Sequence, residues 1–302
     1  MTARGWAAFA AVSVLWGLPY LLIKIVVDDG MPPTFLAWSR VVIGAAVLIA
    51  FSWYAGTLPA LRGRGRWLVA FTVFEIALPF PLIAFGEQHV SSSLTAIVIA
   101  SAPLFVALLA LRFDATERVG GSRLAGLAIG LLGVVALVGV DVGGSSEELV
   151  GVAAILAAAV CYAIGPMLFK RHLSDLDAGA TMAACLALAS VFLLPAAAFR
   201  PPSEMPSGTA LAALLALGLL CTALGLVLYG VLVTEAGAGR ALVVTYVNPL
   251  VAVALGVAIL DERPGPGAFV GLALILLGSW LATGGGVTPV RRALVSLRAG
   301  AR

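Results

Sequence analysis

The stretch GWAAFAAVSVLWGLPYLLIK, from Gly5 to Lys24, returns as GVAAILAAAVCYAIGPMLFK from Gly151 to Lys170. Gly5, Ala7, Ala8, Ala11, Leu22 and Lys24 match Gly151, Ala153, Ala154, Ala157, Leu168 and Lys170 at a constant offset of 146 positions. Pro103 and Pro249 keep that offset, and Glu117-Arg118, Gly126 and Gly133 recur one residue short of it as Glu262-Arg263, Gly271 and Gly278. The chain therefore carries two copies of one unit. Each quoted stretch has a single charged residue, at its last position, and the length of one helical membrane crossing, about 20 apolar residues.

The rest of the chain has the same character. A chain of 302 residues that is 62% hydrophobic and 11% charged has more apolar surface than one soluble core can bury, which makes it an integral membrane protein. Ten apolar stretches are counted: Trp6 to Val27, Pro33 to Tyr54, Trp67 to Phe85, Leu94 to Phe113, Leu124 to Val140, Val150 to Phe169, Ala178 to Phe199, Thr209 to Val233, Ala241 to Leu260 and Gly267 to Gly285. Continuous Leu, Ala and Val runs exclude a β-barrel, whose strands alternate. The first stretch is too long for a signal-peptide core and has no small-residue cleavage site before Asp28. The expectation is an all-α membrane protein of ten transmembrane helices: a five-helix repeat at 1–141, a second at 142–286 and a basic tail at 287–302. Five is odd, so the second copy enters the membrane inverted, and inverted repeats around a midplane site are characteristic of secondary transporters.

Cations set the expected orientation. With the N-terminus inside, the cytoplasmic segments collect 14 of the 18 Lys and Arg residues, against only Arg200 and Arg263 outside. Both termini are expected in the cytoplasm, with Asp28-Asp29 and Glu147-Glu148 in outer turns. The net charge of +3 then reflects topology and gives no support to a nucleic-acid partner. The tail after Gly286 suits an anionic lipid surface. Cys161, Cys185 and Cys221 lie within spans, with no disulfide framework or zinc spacing. Short loops leave no room for a nucleotide-binding domain, and Gly143-Gly144-Ser145-Ser146 has no lysine for phosphate and reads as a turn. No cofactor or metal is expected. An intramembrane enzyme would need a paired constellation of reactive groups, which the sequence does not offer.

Symmetry ranks the charges at membrane depth. Lys24 is matched by Lys170, and each suits a structural role near a helix C-terminus. Arg40 falls opposite Leu186 and Glu75 opposite Cys221, so these two break the symmetry. An acid or cation at mid-membrane costs on the order of 3 kcal/mol by insertion scales and usually faces water or a partner. Glu75 is the leading candidate, as a proton carrier or as the partner of a substrate amine. Arg40, nearer the outer surface, is expected in a structural ion pair. His89, beside Glu87 at a span end, reads as a solvated residue. Pro79, Pro103, Pro166 and Pro249 interrupt spans and are candidates for hinges or cavity walls. Trp16 and Tyr162 occupy equivalent repeat positions, and Tyr246 stands just before Asn248-Pro249. Trp6, Trp53, Tyr54 and Trp67 suit an interfacial belt. Gly126, Gly130 and Gly133, with Gly267, Gly271 and Gly278, give the fifth and tenth spans small-residue faces for close packing, in a scaffold or an oligomer contact.

The ordered set Leu15-Trp16-Gly17, Lys24, Pro32-Pro33, Arg40, Pro103, Glu117-Arg118, Pro249 and Glu262-Arg263 resembles the ten-span EamA-type branch of the drug/metabolite transporter superfamily across essentially the whole chain. One departure is Asn248, where the first half has Ala102. The resemblance implies an exporter of small metabolites, often amino acids, working by alternating access. It also implies a central cavity formed by the first, third, fourth, sixth, eighth and ninth spans. Within that cavity Glu75 is expected to engage an amine or a proton. Asn248, Ser101 and Tyr246 would supply hydrogen bonds, and Trp16, Phe80 and Tyr162 an apolar wall. Efflux of cationic or lipophilic drugs is the alternative. The expected partners are a small-molecule substrate and the lipid bilayer. The sequence is compatible with or without proton coupling, as a monomer or a homodimer, and its Ala and Gly content suits a bacterial inner membrane.

Overall fold

The computed structural model describes residues 2–113, 121–141, 145–236, 241 and 243–282. Every α-helix and helical turn in these segments belongs to one bundle, and no strand occurs among the described residues. The helices are α1 (Ala3–Asp28), α2 (Pro33–Tyr54), α3 (Gly65–Thr72), α4 (Pro79–Gly86), α5 (Ser92–Ile99), α6 (Ala102–Phe113), α7 (Gly121–Asp141) and α8 (Ser146–His172). The second half continues with α9 (Ala178–Phe199), α10 (Gly208–Ala216), α11 (Gly225–Ala236), α12 (Val244–Leu260) and α13 (Pro266–Ala282). Among the described residues seven rods are long and apolar enough to cross a membrane, and the shorter apolar segments Leu124–Leu137, Val244–Leu260 and Pro266–Ala282 stand where the fifth, ninth and tenth spans are expected.

Local chemistry sets the helix ends. The side chains of Thr2, Ser91, Ser145, Asp177 and Ser207 each accept a hydrogen bond from a backbone N–H in the first turn of α1, α5, α8, α9 and α10, occupying donors that the helix leaves unpaired. Pro33 opens α2 at a position where its missing N–H is not needed. The expectation that Glu147-Glu148 form an outer turn is corrected. Both lie in the first turn of α8, where the Ser145 hydroxyl accepts from Glu148 N at 3.1 Å and the helix dipole favours acids.

Three of the expected single spans are interrupted. Between α3 and α4 the backbone widens into a π-turn, Val73–Ala77, and Leu78 N–H reaches back five residues to Val73 O at 3.0 Å. Between α10 and α11 the same widening spans Leu217–Leu224. The two π-turns coincide at the 146-residue offset, so both copies of the unit bulge at one place. The fourth span breaks at Ala100-Ser101, between α5 and α6.

The packing pattern survives exchange of the halves. α1 lies against α12 and against the rod made of α10, its π-turn and α11; α8 lies against α5 and α6 and against the rod made of α3, its π-turn and α4. α2 packs on α9, and α7 on α13. The glycine faces of α7 and α13 meet each other: a Cβ on Gly126 would fall 2.8 Å from Gly278 O, and one on Gly133 3.0 Å from Gly271 O. This seam therefore forms within the chain. Trp6, Trp53 and Tyr54 are 59%, 74% and 91% exposed, as an interfacial belt requires. Trp67 instead stacks on His172, with ring centroids 3.4 Å apart. Beside that stack Arg64 donates to His172 O at 2.6 Å and pairs with Asp175, tying the start of α3 to the end of α8. Glu117-Arg118 and the tail 287–302 lie outside the described residues.

Candidate functional site

Glu75 sits in the middle of the first π-turn. Its Oε2 is buried and has no hydrogen-bond partner. The carboxyl lies against Gly165 of α8, where any Cβ would collide with Oε2 and stand 3.2 Å from Cδ. Gly165 therefore admits the acid. Two breaks surround it: Pro79, four residues on at the first position of α4, offers no N–H to the Glu75 carbonyl, and Pro166, inside α8, offers none to that of Tyr162. The ionisable side chains on neighbouring helices that lie within electrostatic range of Glu75, namely Cys161, Tyr162, Cys185 and Tyr229, are thiols and phenols. An acid with an orphaned oxygen amid uncharged groups is an energetic liability unless a ligand or proton uses it.

Tyr162 connects this acid to a cation, being within electrostatic range of both Glu75 and Arg40. The structural ion pair expected for Arg40 is not found: among the described residues no carboxylate approaches its guanidinium within 4.0 Å. Arg40 is instead held by two uncharged partners. Its Nε donates to Thr222 Oγ1 at 3.0 Å, and its guanidinium carbon lies 4.2 Å from the centre of the Phe80 ring. Thr222 in turn donates to Leu217 O at 2.8 Å across the second π-turn. Arg40 is only 8% exposed, so its guanidinium is set well inside the protein.

The remaining expected site residues divide. Trp16 packs on Tyr229 at 4.7 Å between ring centroids, and its Nε1 lies 2.8 Å from where a Cβ on Gly225 would stand. Tyr246 and Asn248 lie in the first turns of α12. With its amide oriented to satisfy its surroundings, Asn248 donates to Ser13 O of α1 at 3.3 Å and to Val244 O at 2.9 Å. That side chain laces α1 to α12. Ser101 is fully buried, and its hydroxyl donates to Val98 O at 2.6 Å, closing the break between α5 and α6. Pro103 stands second in α6, after that break, and its repeat partner Pro249 is buried inside α12.

Two features have no counterpart in the sequence reading. Glu87, at the end of α4, is fully buried with neither carboxyl oxygen hydrogen-bonded, although its position at a span end suggests a solvated acid. Lys24 donates to Glu87 O at 2.9 Å and pairs with Asp28 at 2.8 Å. Beside them opens a pocket of about 440 Å³, lined by Lys24, Asp28, His89, Glu148 and Glu262 among others. Glu262 caps α5 by accepting from Ser92 N at 2.8 Å, Ser93 N at 3.0 Å and the Ser93 hydroxyl. The repeat of Glu117-Arg118 at Glu262-Arg263 was legible in the sequence, and the cap is what the second copy does.

Comparison with known proteins places this geometry. The EamA-like transporter family matches residues 3–139 and 149–284. A probable terminal-alkyne amino-acid exporter of Streptantibioticus cattleyicolor is 31% identical over 91% of this chain and 92% of its own. A probable amino-acid metabolite efflux pump of Escherichia coli is 27% identical over 89% of this chain and 91% of its own. A solved crystal structure shares the fold at a TM-score of 0.66 and 22% identity, covering 94% of this chain and 98% of the other.

Proposed function

The chain belongs to the EamA-like transporter family and is a multi-pass membrane protein, and on that premise we propose that it exports small metabolites, amino acids first among them, by alternating access. The unit at 1–141 and its inverted copy at 142–286 make ten spans around a central site, with both termini and the basic tail 287–302 in the cytoplasm. One observation carries the reading: Glu75 presents a buried, unpartnered carboxyl oxygen at a backbone bulge, against a glycine that leaves it room. π-turns recur at functional sites, and a buried acid without a donor suits a substrate ammonium or a transported proton. Trp16, Phe80, Tyr162 and Tyr229 give the site aromatic walls. The two relatives whose names mention amino acids support that choice of cargo.

Rocking of the two halves would open the site to each side in turn. The π-turns, equivalent in the two copies, are the natural joints, because their wide hydrogen bonds can change register at less cost than those of a regular helix.

Counterflow in proteoliposomes tests the reading. Vesicles preloaded with a mixture of amino acids should accumulate some labelled amino acids and not others, and Glu75→Gln at normal expression should abolish or strongly reduce that accumulation. Accumulation of a cationic dye with no amino acid moving would replace the proposal with drug efflux. Full transport by Glu75→Gln with an unchanged response to a pH gradient would remove Glu75 from the mechanism.

A further inference from the structure

We infer that Arg40 is the group that receives the substrate's carboxylate, so that this site selects molecules bearing a free carboxyl and rejects the same molecules once the carboxyl is masked. The inference rests on the reading of the chain as an amino-acid exporter and adds to it the basis of recognition.

Of the guanidinium nitrogens of Arg40 only Nε makes a hydrogen bond among the described residues, to Thr222 Oγ1 at 3.0 Å, and the ring of Phe80 covers the face of the group at 4.2 Å. These two contacts fix the plane of the fork and leave both terminal nitrogens without an acceptor among the described residues. A planar fork with two parallel N–H donors is complementary to a carboxylate, which it binds in bidentate fashion. Thr222 is itself oriented by its bond to Leu217 O, so the tether cannot turn away.

Charge bookkeeping points the same way. Arg40 is a buried cation with no ion pair among the described residues, although Glu87 is within electrostatic range. That acid remains without a hydrogen-bond partner. A buried cation that no described carboxylate reaches within 4.0 Å, and that is held rigid by uncharged groups, is free to take its anion from outside. The position is apt: Arg40 is within electrostatic range of Tyr162, as Glu75 is too, and Phe80 lies five residues beyond Glu75 on the same rod. Cation and acid thus flank one aromatic region, the arrangement a zwitterion would use. Finally, the cation belongs to one copy of the unit only, with Leu186 at its repeat position, so no packing demand common to both copies requires it.

The test uses the full-length protein in proteoliposomes preloaded with the twenty proteinogenic amino acids. Entry of labelled L-leucine, L-phenylalanine and L-threonine is competed with each free amino acid and with its carboxamide, in the native protein and in Arg40→Gln, Arg40→Lys and Thr222→Val. The expected result is that free acids compete at least tenfold better than the amides in the native protein. Arg40→Gln should bring that ratio near one, Arg40→Lys should keep part of it, and Thr222→Val, which leaves the charge but unties Nε, should reduce it several-fold. A merely structural arginine would change the amount of folded protein and leave the ratio alone. Equal competition by acids and amides in the native protein overturns the inference even if no variant folds, as does a full ratio in Arg40→Gln. Those results leave amino-acid export standing, whereas absence of counterflow for all three labelled amino acids overturns the export reading and this inference together.

Discussion

Replacing Gly278 by alanine should cost far more than the same change at Gly130, although both glycines lie in one helix crossing. A Cβ on Gly278 would stand 2.5 Å from Gly130 Cα and 2.6 Å from Gly126 O, and closer still to Gly130 N. Carbon contacts are comfortable at about 3.5–4.0 Å, so α13 must withdraw from α7 by about 1 Å, and the atoms in the way are backbone that cannot rotate aside. Overpacking of this kind costs about 1–3 kcal/mol, and a backbone obstacle places Gly278 at the upper end. The better helix propensity of alanine returns about 1 kcal/mol, leaving a net loss of about 2. The three atoms nearest a Cβ on Gly130 all belong to the Leu104 side chain, Cδ1 and Cδ2 at 2.5 Å and Cγ at 3.0 Å. That side chain can shift at about 0.5–1.5 kcal/mol, which the helix gain offsets. Thermal or denaturant unfolding of the purified protein in detergent measures the difference. Gly278→Ala as stable as the native protein, or Gly130→Ala the more damaging, would refute the view that backbone contact sets this seam.

Gly165→Ala should leave expression intact but displace the Glu75 carboxyl, lowering counterflow at least tenfold; full transport would show that the carboxyl need not occupy that niche. Glu87 gives up no hydrogen bond when changed, so Glu87→Gln should melt within a degree or two of the native protein. Lys24→Met, which forfeits the bonds to Glu87 O and Asp28, should melt several degrees lower, and the reverse order would contradict the geometry. Asp29 accepts from Ser207 N at 2.9 Å, and its hydrogen bonds from Ser207 hold its carboxyl below the usual range. A lowered native value means that the link stabilises the fold above about pH 4, the ordinary carboxylate value, and fades as pH falls through the native one. Protease cleavage near Ser207 should rise in acid in the native protein, and Asp29→Asn should flatten that rise.

Much of the architecture could be read in the residues because the forces involved are coarse. Apolar run length marks a span, and glycines at helical spacing mark close packing, as the meeting of Gly126 and Gly133 with Gly278 and Gly271 bears out. The π-turns could not be read, since Val73–Ala77 and Leu217–Leu224 have no composition that separates them from α-helix; only the tertiary packing makes a wider turn worthwhile. Polar side chains were harder for a similar reason. Ser101 and Asn248 look alike as hydrogen-bond donors in a span, yet one closes a local break and the other laces two helices together. Glu87 misleads because position along a span says little about depth once α4, α5 and α8 close over its end. Arg40 misleads because sequence shows the charge and hides whether an acid reaches it.

The matched π-turns also say something about history. A bulge is one residue more than a regular helix needs, and two bulges at the same register of two copies are most simply a single event that preceded duplication. The side chains they display have since diverged, an acid at 75 and a thiol at 221, while the irregular backbone persisted in both. On that account the ancestral half already had the bulge, and its two copies have since come to carry different side chains there. The second bulge, carrying Cys221 and Thr222, is therefore a place where an engineer could install a new charge without first inventing a backbone to hold it.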